Sequence, residues 1–592
     1  MKKLTRMCAC LIAAMLLLSS CAGDGTEAES TAADQTGSAP TTSDTEPEKP
    51  LADPLVLVSA DGKVNCTVTV PKDLSEEDMA QINDFVKDIK GKTGVELPIV
   101  DEASAINTKY EIAINAEAGR EPVSEQLAAT AYTDYKIGLW DWHIMITAHA
   151  DETLRSGLSR FVKLIEKIDE GYCIREDIDV HASTLLGERK TSVPAYDTEK
   201  GSILPLYSVK DGYEVCVQNS SQKEFLAYAE KLAANGFTKY SEGELPSATS
   251  AAYKNLSYVY TTEDMHVFMN WNVSQNTARV VFTKPTELPS LTKPTLSSSD
   301  NAKTSIAQIG IGGLGMSYAI QLKDYSFIVI DGGTNADSNV TQLYDYMVEK
   351  TPSGKNPVIE CWIFTHPDPD HIGAPHQFLT KYMEKVELRS VAYNFPDCTV
   401  QDTSQNDETM GSSIFALENL INRFYAPKVY TIHTGQKFYF KGVEMDVLFT
   451  EEDLHPLKAE SYNSTSAMMR FTFDNGKTFM VLGDATEKTS KQLAATYGSY
   501  LKSDMLQLAH HGLIGGDKQL YMYIDPEICF WATAKERYEG KWDTNKDGKV
   551  ASNDVQHCLG QGGCNYNAWI RDTSIRVRTH YHGGETFVVN VE

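Results

Sequence analysis

The chain has 592 residues, too many for one hydrophobic core, so about three or four domains are expected. Its composition is that of a soluble protein, with 42% hydrophobic residues, and its formal net charge is −27. This charge disfavours tight binding to a polyanion, because affinity for phosphates depends on lysine and arginine displacing counterions. It does not exclude a nuclease whose bound metal ions supply local positive charge.

The first 21 residues have the pattern of a targeting signal. A basic start precedes an apolar run from Met7 to Leu18, which is too short to span a bilayer as a helix, and a Leu-Ser-Ser-Cys motif ends at Cys21. This resembles a bacterial lipoprotein signal in which Cys21 is the lipidated first residue of the mature chain; a plain secretory signal is the alternative. Residues 22–53 are polar and are predicted to be a disordered tether. The resemblance implies an extracytoplasmic protein that a lipid anchors to the membrane.

Two small α/β domains are predicted before residue 300. Residues 54–185 alternate β-prone segments with helical ones, including a helix predicted from Ser75 to Lys92. This layout resembles the accessory domain that precedes the barrels of several glycoside hydrolases, which implies cell-wall glycan as a candidate partner. Residues 200–285 contain a predicted helix from Gln222 to Asn235 and then an antiparallel meander, and residues 286–301 are a predicted linker.

Residues 302–592 are predicted to form one large domain. Gly310–Gly315 fits the GxGxxG pattern of dinucleotide-binding proteins, but that fingerprint requires a helix after it. The segments that follow, Ser317–Leu322 and Ser326–Ile330, are typical of a β-hairpin, so no nucleotide site is expected. Further strand pairs alternate with helices, which predicts two sheets covered by helices.

Ligand-type side chains follow apolar, β-prone segments of this domain in three places. They are His366, Asp368, Asp370 and His371 after Val358–Phe364, Asp484 after Phe479–Leu482, and His510 and His511 after Met505–Ala509. Imidazole and carboxylate groups delivered by neighbouring loops are how proteins hold divalent metals. A lone Gly-Asp or His-His pair is more often a turn or a cap, but the three groups together favour a metal centre.

In this order the groups resemble the metallo-β-lactamase superfamily, and most closely the hydrolase domain of ComEC-type competence proteins. The matching motifs are Gly310–Gly315, Ile330–Gly333, His366–Gly373, Asn463–Ser466, Gly483-Asp484 and His510–Gly512. The resemblance covers about half of the chain. It implies an α/β (α+β) protein in which a C-terminal αββα metallo-β-lactamase sandwich follows the two small α/β domains.

The resemblance also implies roles for these residues. His366 and Asp368 would hold one metal ion, Asp370 and His371 would face a second, Asp484 could bridge both, and His510 or His511 would complete the set. Two cations would lower the pKa of a shared water and polarise the scissile group. Asp370 could also orient that water. Asn463, Ser464 or Ser466 could donate hydrogen bonds to a substrate oxygen, with hydrogen bonding inside the loop as the alternative.

Two departures from the commonest superfamily pattern bear on the metal. Asp368 stands where most members have a second histidine, which favours Mn²⁺ over Zn²⁺ without excluding zinc. No histidine precedes Gly483-Asp484 at the usual position, where Asn463-Ser464 lies instead. One or two divalent metal ions, zinc or manganese, are therefore the expected cofactors.

A stretch within the same domain resembles a calcium loop of the dockerin type. Its candidate calcium ligands at residues 543–554 are Asp543, Asn545, Asp547, Lys549 and Asp554, with a glycine at the sixth position. Dockerin modules carry two such loops and this chain has one. A solvated turn in an insertion of the hydrolase domain is the alternative.

Together these patterns predict an extracytoplasmic, metal-dependent hydrolase, most simply a phosphodiesterase or other phosphoesterase. Nucleic acid is the substrate that the resemblance suggests, and teichoic acid or a small phosphoester fits the acidic charge and outer location. β-Lactam hydrolysis is not expected, because the first loop lacks the histidine-rich form of that subfamily. A surface-binding lipoprotein that uses the fold as a scaffold, or a carbohydrate-associated protein, is the alternative.

Overall fold

The computed structural model describes residues 52–128, 130, 134–183, 187–188, 191, 193–204, 206–311, 315–396, 408–425, 427–457, 459–512, 515–534, 578–581 and 584–591. The signal with Cys21, nearly all of the predicted tether and the predicted calcium loop at residues 543–554 lie outside this range. No helix among the described residues is both long and apolar enough to cross a membrane.

The first small unit is a mixed sheet with helices. Its strands are Pro54–Ser59 (β1), Cys66–Val70 (β2), Ile99–Asp101 (β3), Tyr110–Ile114 (β4), Asp134–Trp140 (β5), His143–Ala148 (β6), Glu166–Ile168 (β7), Gly171–Arg175 (β8), Val180–Ser183 (β9) and Gly187–Glu188 (β10), and its helices are Glu76–Thr93 (α1), Glu121–Ala128 (α2) and Asp151–Leu164 (α3). The main sheet has the order β10-β9-β5-β6-β4-β2-β3. Ser75 caps α1 by accepting a hydrogen bond from the Asp78 N–H at 3.0 Å, so this predicted helix is confirmed.

The second small unit is an antiparallel sheet with one face covered by a helix. Its elements are Ser202–Ile203 (β11), Tyr207–Val209 (β12), Gly212–Gln218 (β13), Gln222–Ala234 (α4), Thr238–Pro246 (β14), Lys254–Thr261 (β15), His266–Asn272 (β16) and Thr277–Thr283 (β17). The strands have the order β11-β13-β17-β16-β15-β14. Ser221 and Glu224 form a capping box at the start of α4. The predicted helix and meander are confirmed, and β13 and β14 extend the sheet beyond the prediction.

The rest of the chain forms two sheets with helices. The strands are Ser305–Gln308 (β18), Tyr318–Gln321 (β19), Phe327–Ile330 (β20), Val358–Ile363 (β21), Glu387–Leu388 (β22), Ser390–Tyr393 (β23), Lys428–Thr431 (β24), Lys437–Phe440 (β25), Val443–Phe449 (β26), Met468–Phe473 (β27), Thr478–Val481 (β28), Met505–Gln507 (β29), Ile528–Trp531 (β30), Arg578–Tyr581 (β31) and Phe587–Asn590 (β32). The helices are Asp337–Lys350 (α5), Pro369–Lys381 (α6), Glu408–Leu420 (α7), Glu487–Tyr497 (α8) and Lys518–Ile524 (α9). One sheet has the order β24-β23-β21-β20-β19-β18-β32 and the other β25-β26-β27-β28-β29-β30-β31.

These sheets pack face to face. Ile328 and Ile363 of the first sheet share a fully buried core with Met445 and Phe471 of the second. Helices α5, α6 and α7 cover the outer face of the first sheet, and α8 and α9 cover that of the second. Each large apolar side chain buried in these layers stabilises the fold by about 1.5–3 kcal/mol. The four layers form an αββα sandwich, so the predicted fold class is confirmed.

One predicted boundary was wrong in a way that affects the site. Helix α6 was expected from Ile372 to Tyr382, but it begins at Pro369. Proline is tolerated at the first helical position, because the N–H it lacks has no intrahelical partner there. Asp370 and His371 therefore lie in the first turn of α6 and not in a free loop.

Candidate metal centre

The candidate ligands lie at the carboxyl ends of neighbouring strands. β20 and β21 are parallel neighbours in the first sheet, as β28 and β29 are in the second. The loop after β21 leads from His366 to His371, Asp484 follows β28, and His510 and His511 follow β29. Carboxyl ends of parallel strands meet at one edge of a sheet, so the face-to-face packing brings these loops together.

The distances show that segments far apart in sequence meet. The Nε2 atom of His371 lies 3.2 Å from Asp484 Oδ1, and His511 Nε2 lies 3.1 Å from Asp484 Oδ2. His511 Nε2 is also 3.0 Å from Asp370 Oδ2. Two sets of ligand atoms lie within 4.8 Å of one another: His366, His371 and Asp484, and Asp370, His371 and His511. The carboxylate of Asp484 links the two sets.

Asp368 and His510 lie at the edge of this cluster. Asp368 Oδ2 is 3.4 Å from His366 Nε2, and its side chain is 23% exposed. His510 Nε2 is 3.7 Å from Asp484 Oδ2, and its side chain is 25% exposed, whereas that of His511 is 1% exposed. Neither edge residue belongs to the two compact sets. Of the histidine pair, His511 is therefore the better candidate ligand, a choice that the sequence left open.

Left-handed backbone turns deliver the ligands of the second sheet. His510 and His511 have φ angles of 49° and 57°, which cost about 1–3 kcal/mol each for residues other than glycine. Gly512 follows with φ 74°, and a Cβ there would lie 2.3 Å from Trp531 Cε3. Gly483 has φ 55°, and its Cβ would lie 2.9 Å from Ser466 Cβ. The glycines of both motifs are thus required by close packing beside the ligands.

Asp331 is a functional residue that the sequence analysis did not place in the site. It follows β20, is fully buried, and its Oδ2 accepts a hydrogen bond from His371 Nδ1 at 2.7 Å. Thr365 donates to the same carboxylate through its N–H at 2.8 Å and its hydroxyl at 2.7 Å. A carboxylate on Nδ1 fixes the ring so that Nε2 points to the cluster, as in many histidine-ligated metal sites. The available signal was the Asp-Gly-Gly sequence directly after a buried strand.

Mutual electrostatics keep the cluster charged. Burial by itself would raise the pKa of the Asp484 carboxyl, but the facing imidazoles, His371 first, hold it well below its usual range. Burial opposes the charged form of His371 and His511, yet the carboxylates, Asp484 first, raise the pKa of His371 well above its ordinary value and that of His511 to about 9. A cation that binds here therefore competes with protons on the imidazoles.

The donor set fits a divalent cation. The Nε2 atoms of His366, His371 and His511 and the Oδ1 atom of Asp484 are buried and make no well-formed hydrogen bond, although opposite charges lie within ion-pair distance. Buried polar atoms without such a partner are rare, because each costs about 1–3 kcal/mol. Their convergence suits a cation, and a mixture of imidazole and carboxylate ligands suits zinc or manganese.

The predicted substrate-contacting residues lie beside the cluster. Asn463 and Ser464 belong to a short turn, Tyr462–Thr465. Asn463 Nδ2 is 3.5 Å from His510 Nε2, and Asn463 Oδ1 and Ser464 Oγ are buried without a hydrogen-bond partner. Ser466 has a structural contact instead, because its Oγ accepts a hydrogen bond from the Asp484 N–H at 3.0 Å. The predicted calcium ligands Asp543, Asn545, Asp547, Lys549 and Asp554 lie outside the described residues.

Comparisons with known proteins add little to this geometry. No family model and no curated protein matches the chain. Among solved structures, a mutant of the CmlA β-hydroxylase is 11% identical, with 50% of this chain and 55% of that chain covered and a TM-score of 0.28. CmlA, a diiron β-hydroxylase from Streptomyces venezuelae, is 9% identical over 63% of this chain and 79% of that chain, with a TM-score of 0.31. The hydrolase AbOPH of the β-lactamase superfamily is 11% identical over 49% and 76%, with a TM-score of 0.16. The fold assignment therefore rests on the αββα layers themselves.

Proposed function

We propose that this protein is a metal-dependent hydrolase, and that its substrates are phosphodiesters or other phosphoesters. The observation that carries the proposal is the convergence, at one edge of the sandwich, of buried histidine Nε2 atoms and the Asp484 Oδ1 atom, none of which makes a well-formed hydrogen bond. His366, His371 and Asp484 would hold one cation, and Asp370, His371 and His511 line the position of a second. Bound cations would lower the pKa of a water and polarise the phosphoester.

The surrounding residues have separate tasks. Asp331 orients His371, and the Ala532 carbonyl accepts a hydrogen bond from His511 Nδ1 at 2.9 Å, which leaves both Nε2 atoms facing the cluster. The Asp370 side chain is 21% exposed, and although burial opposes its charge, the His511 imidazole 3.0 Å away holds its pKa below the usual range. Asp370 is therefore an ionised acceptor that can orient an attacking water.

Asn463 is the proposed contact to the substrate. Its side chain is half-buried and lies beside His510, on the more exposed side of the cluster. The amide N–H₂ can donate to a phosphoester oxygen, and this interaction strengthens as negative charge builds up on that oxygen. Ser464 is 2% exposed and its hydroxyl makes no hydrogen bond, so the contact to the substrate is assigned to Asn463.

The proposal is tested with the full chain loaded with Mn²⁺ or Zn²⁺ and a chromogenic phosphodiester. We expect metal-dependent turnover that His366→Ala abolishes, while His376→Ala, a change of an exposed histidine on α6 outside the cluster, leaves it intact. A panel of DNA, teichoic acid, small phosphoesters, lactones and β-lactams then identifies the substrate class. Bound metal without turnover of any substrate would favour the binding-protein alternative, and absence of bound metal would reject the metal centre itself.

We propose further that the protein works outside the cytoplasm on a lipid anchor at Cys21. Support comes from the sequence alone, where a basic start, a short apolar run and a Leu-Ser-Ser-Cys motif stand in order. Cys21→Ser is expected to abolish incorporation of labelled fatty acid and to move the protein from the membrane to the soluble fraction. Unchanged labelling would place the modification elsewhere.

A further inference from the structure

The second small unit docks on the sandwich through the sheet face opposite α4. Asn272 Nδ2 donates to Thr496 Oγ1 at 3.1 Å, and Asn255 Nδ2 donates to the Thr496 carbonyl at 3.3 Å. Ser257 Oγ donates to the Gly435 carbonyl at 3.1 Å. These contacts reach from α8 to the segment before β25. The interface is polar, and the hydrogen bonds of Asn272 and Asn255 within it are buried.

Buried charges form the centre of this interface. Arg279 on β17 is 2% exposed, and its Nη2 donates to the carbonyls of Asp453 at 3.2 Å and His455 at 2.9 Å. Glu214 on the neighbouring strand β13 is fully buried, 3.5 Å from Arg279 Nε, and hydrogen-bonds His455 Nδ1. The Tyr207 ring stacks on the His455 ring at 4.2 Å. The second unit therefore binds the main-chain carbonyls of Asp453 and His455 and the side chain of His455.

The segment that the second unit binds, residues 453–455, leads along the chain to the edge of the metal centre. Residues 453–455 follow β26, and the chain then reaches the turn Tyr462–Thr465 that carries Asn463. Beyond the turn the sandwich holds the chain: the Ala467 N–H donates to the Thr365 carbonyl at 2.9 Å, and Ser466 Oγ accepts from the Asp484 N–H at 3.0 Å. One end of the loop is thus fixed by the ligand-bearing sheets, and the other end by the second unit together with α8, whose Gln492 Nε2 donates to the Asp453 carbonyl at 2.6 Å.

We propose that Arg279 and Glu214 are positioning residues that hold the loop 453–466, and through it Asn463, against the metal centre. This inference rests on the proposed function for the task of Asn463. The candidate metal ligands follow strand ends of the sandwich or lie in the first turn of α6, away from residues 453–455. The contacts of Arg279 and Glu214 are therefore expected to affect substrate contact and turnover and not cation binding. A displacement of about 1 Å at a substrate-positioning group can lower a rate by up to about 100-fold.

The first test is hydrogen–deuterium exchange on the full chain. Arg279→Met is expected to speed exchange of the amides in residues 456–466 by at least about tenfold relative to the wild type, while the amides of β21 and β28 stay protected. Lys284→Met is the matched control, because Lys284 follows the same strand and pairs with Asp211 at 3.6 Å without touching the loop. Tyr207→Leu, which removes only the stacked ring, serves if Arg279→Met does not fold. Unchanged exchange in residues 456–466 in the folded variant would overturn the proposal.

The second test is a double-mutant cycle on turnover of the chromogenic phosphodiester. We expect Arg279→Met to lower kcat about tenfold with the bound metal content unchanged, and to add nothing in an Asn463→Ala background, because both changes remove the same contact. Fully additive losses would mean that Arg279 acts by another route and would overturn the proposal. If the wild type shows no phosphodiesterase activity, only the proposed function is rejected. The hydrogen–deuterium exchange result still decides whether Arg279 and Glu214 hold the loop 453–466.

Discussion

Two clusters of buried histidines and carboxylates, the ligand cluster of the metal centre and the cluster at the interface with the second unit, differ in how their atoms are arranged. In the ligand cluster, donor atoms form two overlapping sets, each within 4.8 Å: His366, His371 and Asp484, and Asp370, His371 and His511. In the interface cluster, atoms pair off instead: His433 Nδ1 bonds Glu452 Oε1 at 2.8 Å, His455 bonds Glu214, and Arg279 bonds main-chain carbonyls.

Residue types alone do not identify a metal site. Both clusters contain buried imidazoles and carboxylates, but only a set of lone pairs aimed at one point can hold a cation. In the interface cluster the hydrogen bonds join groups two at a time and fix chain segments to each other. Its buried atoms that make no hydrogen bond, Arg279 Nε and Nη1, Glu214 Oε1 and His433 Nε2, belong to neither compact set of ligand atoms among the described residues. The first arrangement suits chemistry and the second suits positioning.

The largest expected effect separates the two clusters by metal content. Asp484→Ala should remove bound cation and lower activity by more than about 100-fold, because even changes behind the ligands typically cost 10–100-fold. The measurement is elemental analysis of the purified full chain by mass spectrometry. Asp453→Ala, the same change in the interface cluster, should retain the wild-type metal content. Equal metal content in both variants would show that the two clusters do not differ in cation binding.

Removing a charge from the interface cluster should lower the free energy of unfolding, by an amount that depends on pH. Glu452 is buried, and although burial opposes its charge, His433, Thr450 and Asn394 lower its pKa from an ordinary 4.5 to about 2. A carboxyl with a depressed folded pKa contributes stability above about pH 4.5 that is lost as pH falls toward 2. Glu452→Gln should therefore lower the free energy of unfolding by about 3 kcal/mol at pH 7 and by progressively less below pH 4.5.

Urea unfolding followed by tryptophan fluorescence across this pH range measures the effect. Glu349→Gln, which breaks an exposed pair with Lys350, should change stability by less than about 1 kcal/mol at every pH. A Glu452→Gln loss that is the same at pH 3 and pH 7 would contradict the assigned role of the charge.

Replacing Asp331, which lies behind the candidate ligand His371, should have an intermediate effect on cation affinity. Asp331→Asn keeps the shape and the acceptor for the Thr365 N–H, but it places a neutral group against His371 Nδ1. Cation affinity, measured by competition with a chelator, should fall by about 10–100-fold. Asp324→Asn, an isosteric change at a residue that bonds Ser326 outside the cluster, should leave affinity unchanged. Equal affinities in the two variants would show that His371 needs no carboxylate behind it.

The smallest expected effect concerns the rim. Asn463→Ala should lower kcat about tenfold, the size of one ordinary hydrogen bond, and leave bound metal as in the wild type. Asn356→Ala, at an exposed amide that bonds the Glu384 carbonyl, is the control. Loss of metal from Asn463→Ala would instead make Asn463 a ligand and move it into the convergent cluster.

Much of the sandwich could be predicted because its signals are local. A run of buried residues such as Val358–Ile363 followed directly by His366 identifies both a strand and a ligand loop. The start of α6 at Pro369 was missed, because an Asp-Pro-Asp sequence is equally typical of a turn. Asp331 was not assigned to the site, although Ile330–Gly333 is one of the matching motifs, because an Asp-Gly-Gly sequence after a strand is equally typical of a turn.

The amino-acid sequence by itself determined which side chains could bind a cation and that each group follows a strand, since apolar runs and adjacent ligand types are short-range patterns. Only the tertiary structure decided that His511 lies inside and His510 at the rim, and that Asp331 orients His371 from 40 residues away. It also decided that Arg279 holds His455 across 176 residues of chain. The physical reason is that hydrogen bonds and coordination depend on distances of about 3 Å between atoms, and only packing of the complete sheets fixes those distances.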